Sequence, residues 1–443
     1  MDLQQRPAAS LTSLPIECRQ LILRLLPDIT TLQTAIRSHS SLYNAFLDQK
    51  NAIIKSIVSN IVSFDLLPEV IAVLKSSQIE PWTRGKVLGI LHCYLNRRIP
   101  SNFEYTVKDA ICMQRLHRVI EAFVADFATA ALSENPLSGV SEDPTGLPLS
   151  DNEKRRLISS FYRFELWTWL FQTRNQDHER KPKETTDFSP EEQWDIFFQK
   201  LAPWELEQMY TVHEYLYREL SIPFNEVAAH DVQWGVWSVR YDDTEVWEGD
   251  GMNVAKDYYM FRGLNFLRKV ITAKGYDDRY RILNPNFDYA GMTLSTIVRS
   301  LNLEDDQVPL ERYDGENLEA VLGSSFVKDP DPGPAQAWKW THLKLTRSNF
   351  VGCWYMRDLR RRGYVMWDQS RLVRWRFFES PEWQFPDDPD DEDEEHAREE
   401  EMERSWAQRR RLYRKGFLGW WSEGDESKLT WRSIEFSSDE EDD

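Results

Sequence analysis

Apolar residues recur along most of the chain at intervals of three and four, the spacing of helices that bury one face. The first thirty residues hold two adjoining rows, Leu21/Leu25 and Ile22/Leu26, with Ile29 continuing the stripe. Pro15 suits the first helical position, which places Glu17 among the exposed N–H groups of the first turn. Pro27 and Asp28 end the pattern. Two more short helices follow: one through Leu32, Ala35 and Ile36 capped by Thr30 or Thr31, the other through Leu42, Tyr43 and Phe46 capped by Ser40 or Ser41. Three short helices in about 35 residues bury too little surface to stand alone. This unit needs a partner, in its own chain or in another protein.

Helical spacing continues through Ile53–Val62, Leu67–Leu74, Val87–Leu95 and Val107–Leu132. Asp151–Phe171 is helical and dense in aromatics. Ser189-Pro190-Glu191-Glu192 combines a capping serine, a first-turn proline and first-turn acids, and opens a helix that reaches Leu220 with a break near Pro203. Tyr258–Ala273 and Met292–Leu301 are further helices, and Phe350–Arg362 is another that stops at Gly363. Strand signals are sparse. Val232–Trp247 reads as a strand or as an aromatic loop. Val373, Trp375 and Phe377 alternate with Arg374 and Arg376, so Leu372–Phe378 is expected to pair with Tyr364–Trp367 as a hairpin. The expected fold class is mainly α: a three-helix N-terminal unit, an irregular aromatic-rich helical body with a few short strands, and an acidic disordered tail.

The expected divisions follow from where the pattern lapses. Residues 1–10 form a flexible N-terminus, 11–50 the three-helix unit and 51–327 the helical body; 328–336, containing KDPDPGPA, form a linker. Residues 337–385 form a Trp/Arg-rich α+β segment, and 386–443 an acidic tail with a charged helix over Glu403–Gly416. The formal charge of −19 is local: Asp387–Arg404 carries a net −10 and Glu435–Asp443 a net −6. The remainder is close to neutral, so the basic footprint of a nucleic-acid-binding domain is absent and nucleic acid is not an expected partner. Four scattered cysteines without a C-x-x-C suit a reducing compartment. The polar N-terminus lacks a secretory h-region, and no run approaches the roughly 20 apolar residues that span a bilayer. A cytoplasmic or nuclear location is expected, with no membrane partner.

Catalytic and metal patterns fail on spacing. Gly249-Asp250-Gly251 lacks the third glycine of a dinucleotide loop and reads as a turn. His213-Glu214 opens like a zinc-protease helix, but Tyr217 stands where the second histidine must be. His92-Cys93 and the Cys112/His117 pair lie on apolar helices and read as packed structural residues. No catalytic residue, cofactor or metal is therefore assigned, and the chain is expected not to be an enzyme. Ten of the eighteen tryptophans fall between Trp338 and Trp431 among arginines. Such a mixture can stack on a ligand, but the reading preferred here is a core of aromatics with arginines over their faces. Arg409-Arg410-Arg411 with Arg414 and Lys415 reads equally as an import signal or a solvated helix face. Ser437 and Ser438, ahead of Asp439-Glu440-Glu441, suit an acid-directed kinase.

Residues Leu11–Phe46 resemble an F-box. The resemblance rests on Leu14-Pro15-Ile16-Glu17, the aliphatic pair Ile22-Leu23, Leu26, the Pro27-Asp28 loop, a second helix from Leu32 and a third ending near Leu42-Tyr43. Cys18 and Arg19 stand where the family is usually aliphatic, and Tyr43 replaces a common tryptophan. With the helices at Ala52–Val62 and Pro68–Leu74, the arrangement is similar to uncharacterised filamentous-fungal proteins with F-box-like heads. The resemblance covers under a fifth of the chain. It implies docking onto a Skp-type adaptor of a cullin–RING ubiquitin ligase through Leu14, Pro15, Glu17, Ile22, Leu23 and Leu26, with an unknown target protein held by the body. The alternative expectations are an intracellular or nuclear interaction or scaffold protein whose N-terminal helices are only structural and, after it, an enzyme with an unrecognised site.

Overall fold

The computed structural model describes residues 11, 14–99, 103–133, 148–171, 188–241, 254–283, 294, 297–298, 326–343, 351, 356–379 and 392–431. Within them the fold is mainly α. The N-terminal unit is α1 (Ile16–Arg24), α2 (Ile29–Ser38) and α3 (Ser40–Asp48), followed by α4 (Lys50–Ile61), α5 (Leu67–Ser77), α6 (Arg84–Leu95) and α7 (Val107–Ala131). Pro15 caps α1 rather than occupying its first turn. The cap of α2 is Asp28, whose carboxylate accepts the Thr31 N–H at 2.7 Å, and that of α3 is His39, whose Nδ1 accepts the Ser41 N–H. The caps thus lie one to three residues before the threonine and serine signals, because a suitable acceptor precedes them.

Two long helices form the centre, α8 (Asp151–Phe171) and α10 (Pro203–His230), with the short α9 (Pro190–Ile196) between them. Ser189 and Glu192 close a reciprocal capping box at the start of α9. Pro203, expected as a break, is the first-turn proline of α10. Val232–Val236 is helical (α11), not a strand. The expected Tyr258–Ala273 helix is two: α12 (Val254–Met260) and α13 (Leu264–Thr272). They part at Gly263, whose φ of +80° leaves the helical region and whose missing side chain leaves room for the Glu165 carboxylate. The chain continues through α14 (Gly275–Leu283), α15 (Gly333–His342), α16 (Arg357–Arg361), α17 (Gln369–Arg374) and α18 (Glu392–Arg414), and then β1 (Phe417–Gly419) antiparallel to β2 (Leu429–Trp431). Most of the predicted Met292–Leu301 helix lies outside the described residues.

The hairpin expected over 364–378 is absent. Gly363, at φ +66°, ends α16 as anticipated, and Tyr364–Trp367 is then a buried turn packed under Phe127. The period-two alternation does not carry through: Val373 is exposed on α17, Trp375 and Phe377 are buried after that helix, and Arg374 and Arg376 face solvent.

What fixes this arrangement is a set of buried charges. Helix α8 is enclosed on almost all sides, yet it carries Glu153, Arg156, Arg163 and Glu165, each under 4% exposed. Arg371 grips Glu153 through two bonds of 2.7 and 2.8 Å, and the same carboxylate accepts the Asp368 N–H. Arg156 donates to both oxygens of Asp329, to Asp368 Oδ1 at 2.7 Å and to the Met366 carbonyl. Arg163 reaches Glu205 of α10, whose carboxylate also accepts the N–H groups of Ala202, Phe326 and Val327. Arg360 joins Glu214 by two 2.7 Å bonds and Glu207 by a third. The segment expected as a linker is therefore packed and ion-paired. Asp331 accepts the N–H groups of Gly333 and Gln369, and a Cβ on Gly333 would fall 2.5 Å from the Gln369 nitrogen.

The acid-rich C-terminal region also folds in part. Met402, Arg409 and Leu412 of α18 are buried against α11, a stripe that the charge run conceals. Arg409 is fully enclosed and donates to the carbonyls of Ala228 and Asp231, while Arg410 bonds Ser238. Arg409 and Arg410 of the arginine run are thus engaged in the fold, while Arg411, Arg414 and Lys415 are exposed. Residues 380–391 and 432–443, with Ser437 and Ser438, lie outside the described residues.

Two outcomes follow. Arg360→Ala should destabilise the fold by about 3–5 kcal/mol in urea titration, because two buried carboxylates lose their partner, whereas Arg281→Ala, at an exposed ion pair, should change stability by less than about 0.5 kcal/mol. Gly235→Ala would set a Cβ 2.4 Å from Arg409 Cβ. It should lift α18, seen as rapid tryptic cleavage at Arg409–Arg414 under conditions that leave the wild type intact.

Candidate functional site

The most distinctive surface is on the N-terminal helices. In α1, Leu23 is 1% exposed in the core and Ile16 and Leu26 pack against it. Helical geometry then sends the complementary row, Cys18, Leu21 and Leu25, into solvent. Leu21 is 57% and Leu25 70% exposed. Helix α3 behaves alike: Leu42, Ala45 and Phe46 face inward, while Tyr43 and Leu47, an i,i+4 pair, are 47% and 51% exposed. Each leucine left in water forgoes roughly 1.5–3 kcal/mol of burial. Of eleven large exposed apolar side chains among the described residues, five lie between Leu11 and Leu47, a concentration that single scattered leucines would not produce.

This face is held rigidly. Arg19 Nη1 donates to the Ser41 carbonyl at 3.0 Å and Gln20 Nε2 to Asp48 at 2.7 Å, clamping α1 to α3. Arg24 adds a bond to Gln49. Asn60 of α4 donates to the carbonyls of Arg24 and Leu26, which end α1. Gln114 of α7 accepts the Ile29 N–H and donates to Thr30, and Arg118 pairs with Asp28. The carboxyl of Asp28 sits below its usual range, first through its bond to the Thr31 N–H and further through Arg118. Arg19, out of place in the family pattern, thus has a structural use.

Of the six residues assigned from the resemblance, the structure leaves Pro15 and Glu17 exposed and Leu14 and Ile22 half-buried. Leu23 lies in the chain's own core, and Leu26 is half-buried against it. Leu21, Leu25, Tyr43 and Leu47 were not singled out. The signal was present in the two adjoining rows of α1, only one of which can face the core.

Elsewhere the candidate chemical groups are occupied structurally. His213 lies between the rings of Phe164 and Tyr210, and Glu214 serves Arg360. His117 meets the Tyr162 hydroxyl at 3.0 Å, and burial lowers its pKa. Trp338 and Trp367 are fully buried, and Arg371 lies near the rings of Trp367 and Trp375, so this part of the Trp/Arg-rich segment is core. Among the described residues no group of three or more His, Cys, Asp and Glu side chains could hold a metal ion. No helix among them is long and apolar enough to cross a membrane by itself. Gly249–Gly251 lies outside the described residues.

One buried acid stands apart. Burial pushes the Asp257 carboxyl up to about 7, with Lys256 beside it pulling the other way. A carboxyl raised in the folded state contributes stability that is complete below its unfolded value, near 3.8, and is gone once pH has risen past about 7. The unfolding midpoint should therefore decline between pH 5 and 7.5, and Asp257→Asn should flatten that decline; parallel profiles for the two proteins would refute this assignment.

No protein-family model, curated protein or solved structure matches the chain.

Proposed function

We propose that the chain is a non-catalytic F-box-type receptor that docks a target protein onto a Skp–cullin–RING ubiquitin ligase. The observation that carries this reading is the exposed apolar face of α1 and α3, lying within the segment that resembles an F-box. An apolar helix face fits a hydrophobic groove on a partner, where side chains at i, i+3, i+4 and i+7 act as anchors. In this reading Leu14, Pro15 and Ile22 dock together with Leu21 and Leu25, Glu17 lies at the rim, and Leu23 and Leu26 support the face from behind. The target is held by the body, and the ubiquitin chemistry belongs to other subunits.

A second reading has its own support. Leu23 in the core and the Gln114 and Arg118 bonds to α2 make the N-terminal helices part of the body. A chain whose N-terminal helices are structural would be an interaction or scaffold protein without ligase linkage.

Co-expression with a Skp-type adaptor separates the two. Leu21→Asp and Leu25→Asp replace exposed side chains and should leave the thermal midpoint unchanged. Under the receptor reading each lowers adaptor recovery at least tenfold, about 1.4 kcal/mol, and Pro15→Asp does likewise. Equal recovery with wild type and all three variants, or no recovery with any, favours the scaffold reading.

A further inference from the structure

Away from that face, α5 and α6 frame an open cavity of about 370 Å³. Its size is within the range of small-molecule sites, roughly 300–1,000 Å³. The floor is apolar, built from Ile71, Ala72, Ile79 and Ile90, with Tyr94 beside them. Three cations, Lys75, Lys86 and Arg98, stand around it, against one acid, Glu80. Lys86 Nζ donates to the carbonyls of Glu80 and Pro81, and Lys75 lies over the Phe103 ring at 5.0 Å. None of the three has a carboxylate partner among the described residues. An apolar floor beneath a net positive rim selects a ligand that is apolar at one end and anionic at the other.

The wall is open at one point of α6. Gly89 lies within α6, where a glycine costs about 1 kcal/mol relative to alanine. Its φ is not positive, and a Cβ there would meet nothing within 4 Å. The missing side chain leaves the α6 backbone uncovered at this point of the wall.

We propose that this cavity binds an amphiphilic carboxylate, with its hydrocarbon on the Ile71–Tyr94 floor and its carboxylate among Lys75, Lys86 and Arg98. The site is separate from the α1–α3 face and holds whether or not an adaptor docks there. Cys93, half-buried in the cavity wall, reports occupancy, and the exposed Cys112 serves as its control.

Decanoate and decyltrimethylammonium, both kept below micelle formation, test the proposal by calorimetry and by site-resolved iodoacetamide labelling. Decanoate should bind at least tenfold more tightly than the cation and should slow alkylation at Cys93 but not at Cys112. The double variant Lys75→Glu/Arg98→Glu should weaken decanoate binding at least tenfold. Gly89→Leu, which extends into open space and should fold normally, should abolish both binding and Cys93 protection. Equal affinity for anion and cation, or undiminished decanoate binding in a folded Gly89→Leu protein, overturns it.

Discussion

A charge taken into the protein interior must find its counter-charge there, and α8 imposes that requirement on the whole molecule. Each isolated ion of this kind carries a desolvation penalty of several kcal/mol even after relaxation. Glu153, Arg156 and Arg163 each pair with a residue outside their own helix. Their partners are Arg371, Asp329, Asp368 and Glu205, drawn from across the chain. Burial alone would raise the Glu153 carboxyl; the Arg371 guanidinium and the N–H groups of Asp368 and Ser150 outweigh it and hold it below its usual range. Asp329 is lowered against the same opposing burial by Arg156. The segments around 329 and 368 have little choice of position, since moving either one strands an ion. This explains how a stretch rich in proline and glycine, with the composition of a spacer, becomes one of the most constrained joints in the fold.

The helical class was legible because it rests on apolar spacing, which α4, α5, α7 and α8 keep in register over many turns. The start of α9 was legible too, since Ser189, Pro190 and Glu192 satisfy local hydrogen bonds that need no distant partner. The errors fall where a distant contact decides. Gly263 breaks an otherwise continuous helix because Glu165, some hundred residues earlier, needs its backbone space and the Leu264 N–H. The alternation at 372–378 imitates a strand in its letters alone: Val373 is exposed on α17, and Trp375 and Phe377 turn inward after that helix ends. In α18 the charges dominate the composition, and only Met402, Arg409 and Leu412 disclose a buried stripe.

The candidate face was legible in place but not in detail. Sequence spacing located two apolar rows on α1, and a choice between them depends on what lies behind the helix. The clamps from Arg19, Gln20 and Asn60 set the rotation of α1 about its axis, and that rotation sends Leu23 inward and Leu25 outward. The α5–α6 cavity had no sequence signal of its own, because Lys75, Gly89 and Arg98 converge only when the two helices pack.

The separation between the charges of α8 and their partners has a consequence during synthesis. Glu153 and Arg371 are 218 residues apart. At about 5–20 residues per second, roughly 10–40 s pass between translation of the carboxylate and translation of the guanidinium that grips it. Throughout that interval the central helix cannot settle in a dry core without stranding its ions. The nascent chain must keep α8 wet or shielded until the segments around 329 and 371 arrive, so the interior is completed long after the helix at its centre has been made.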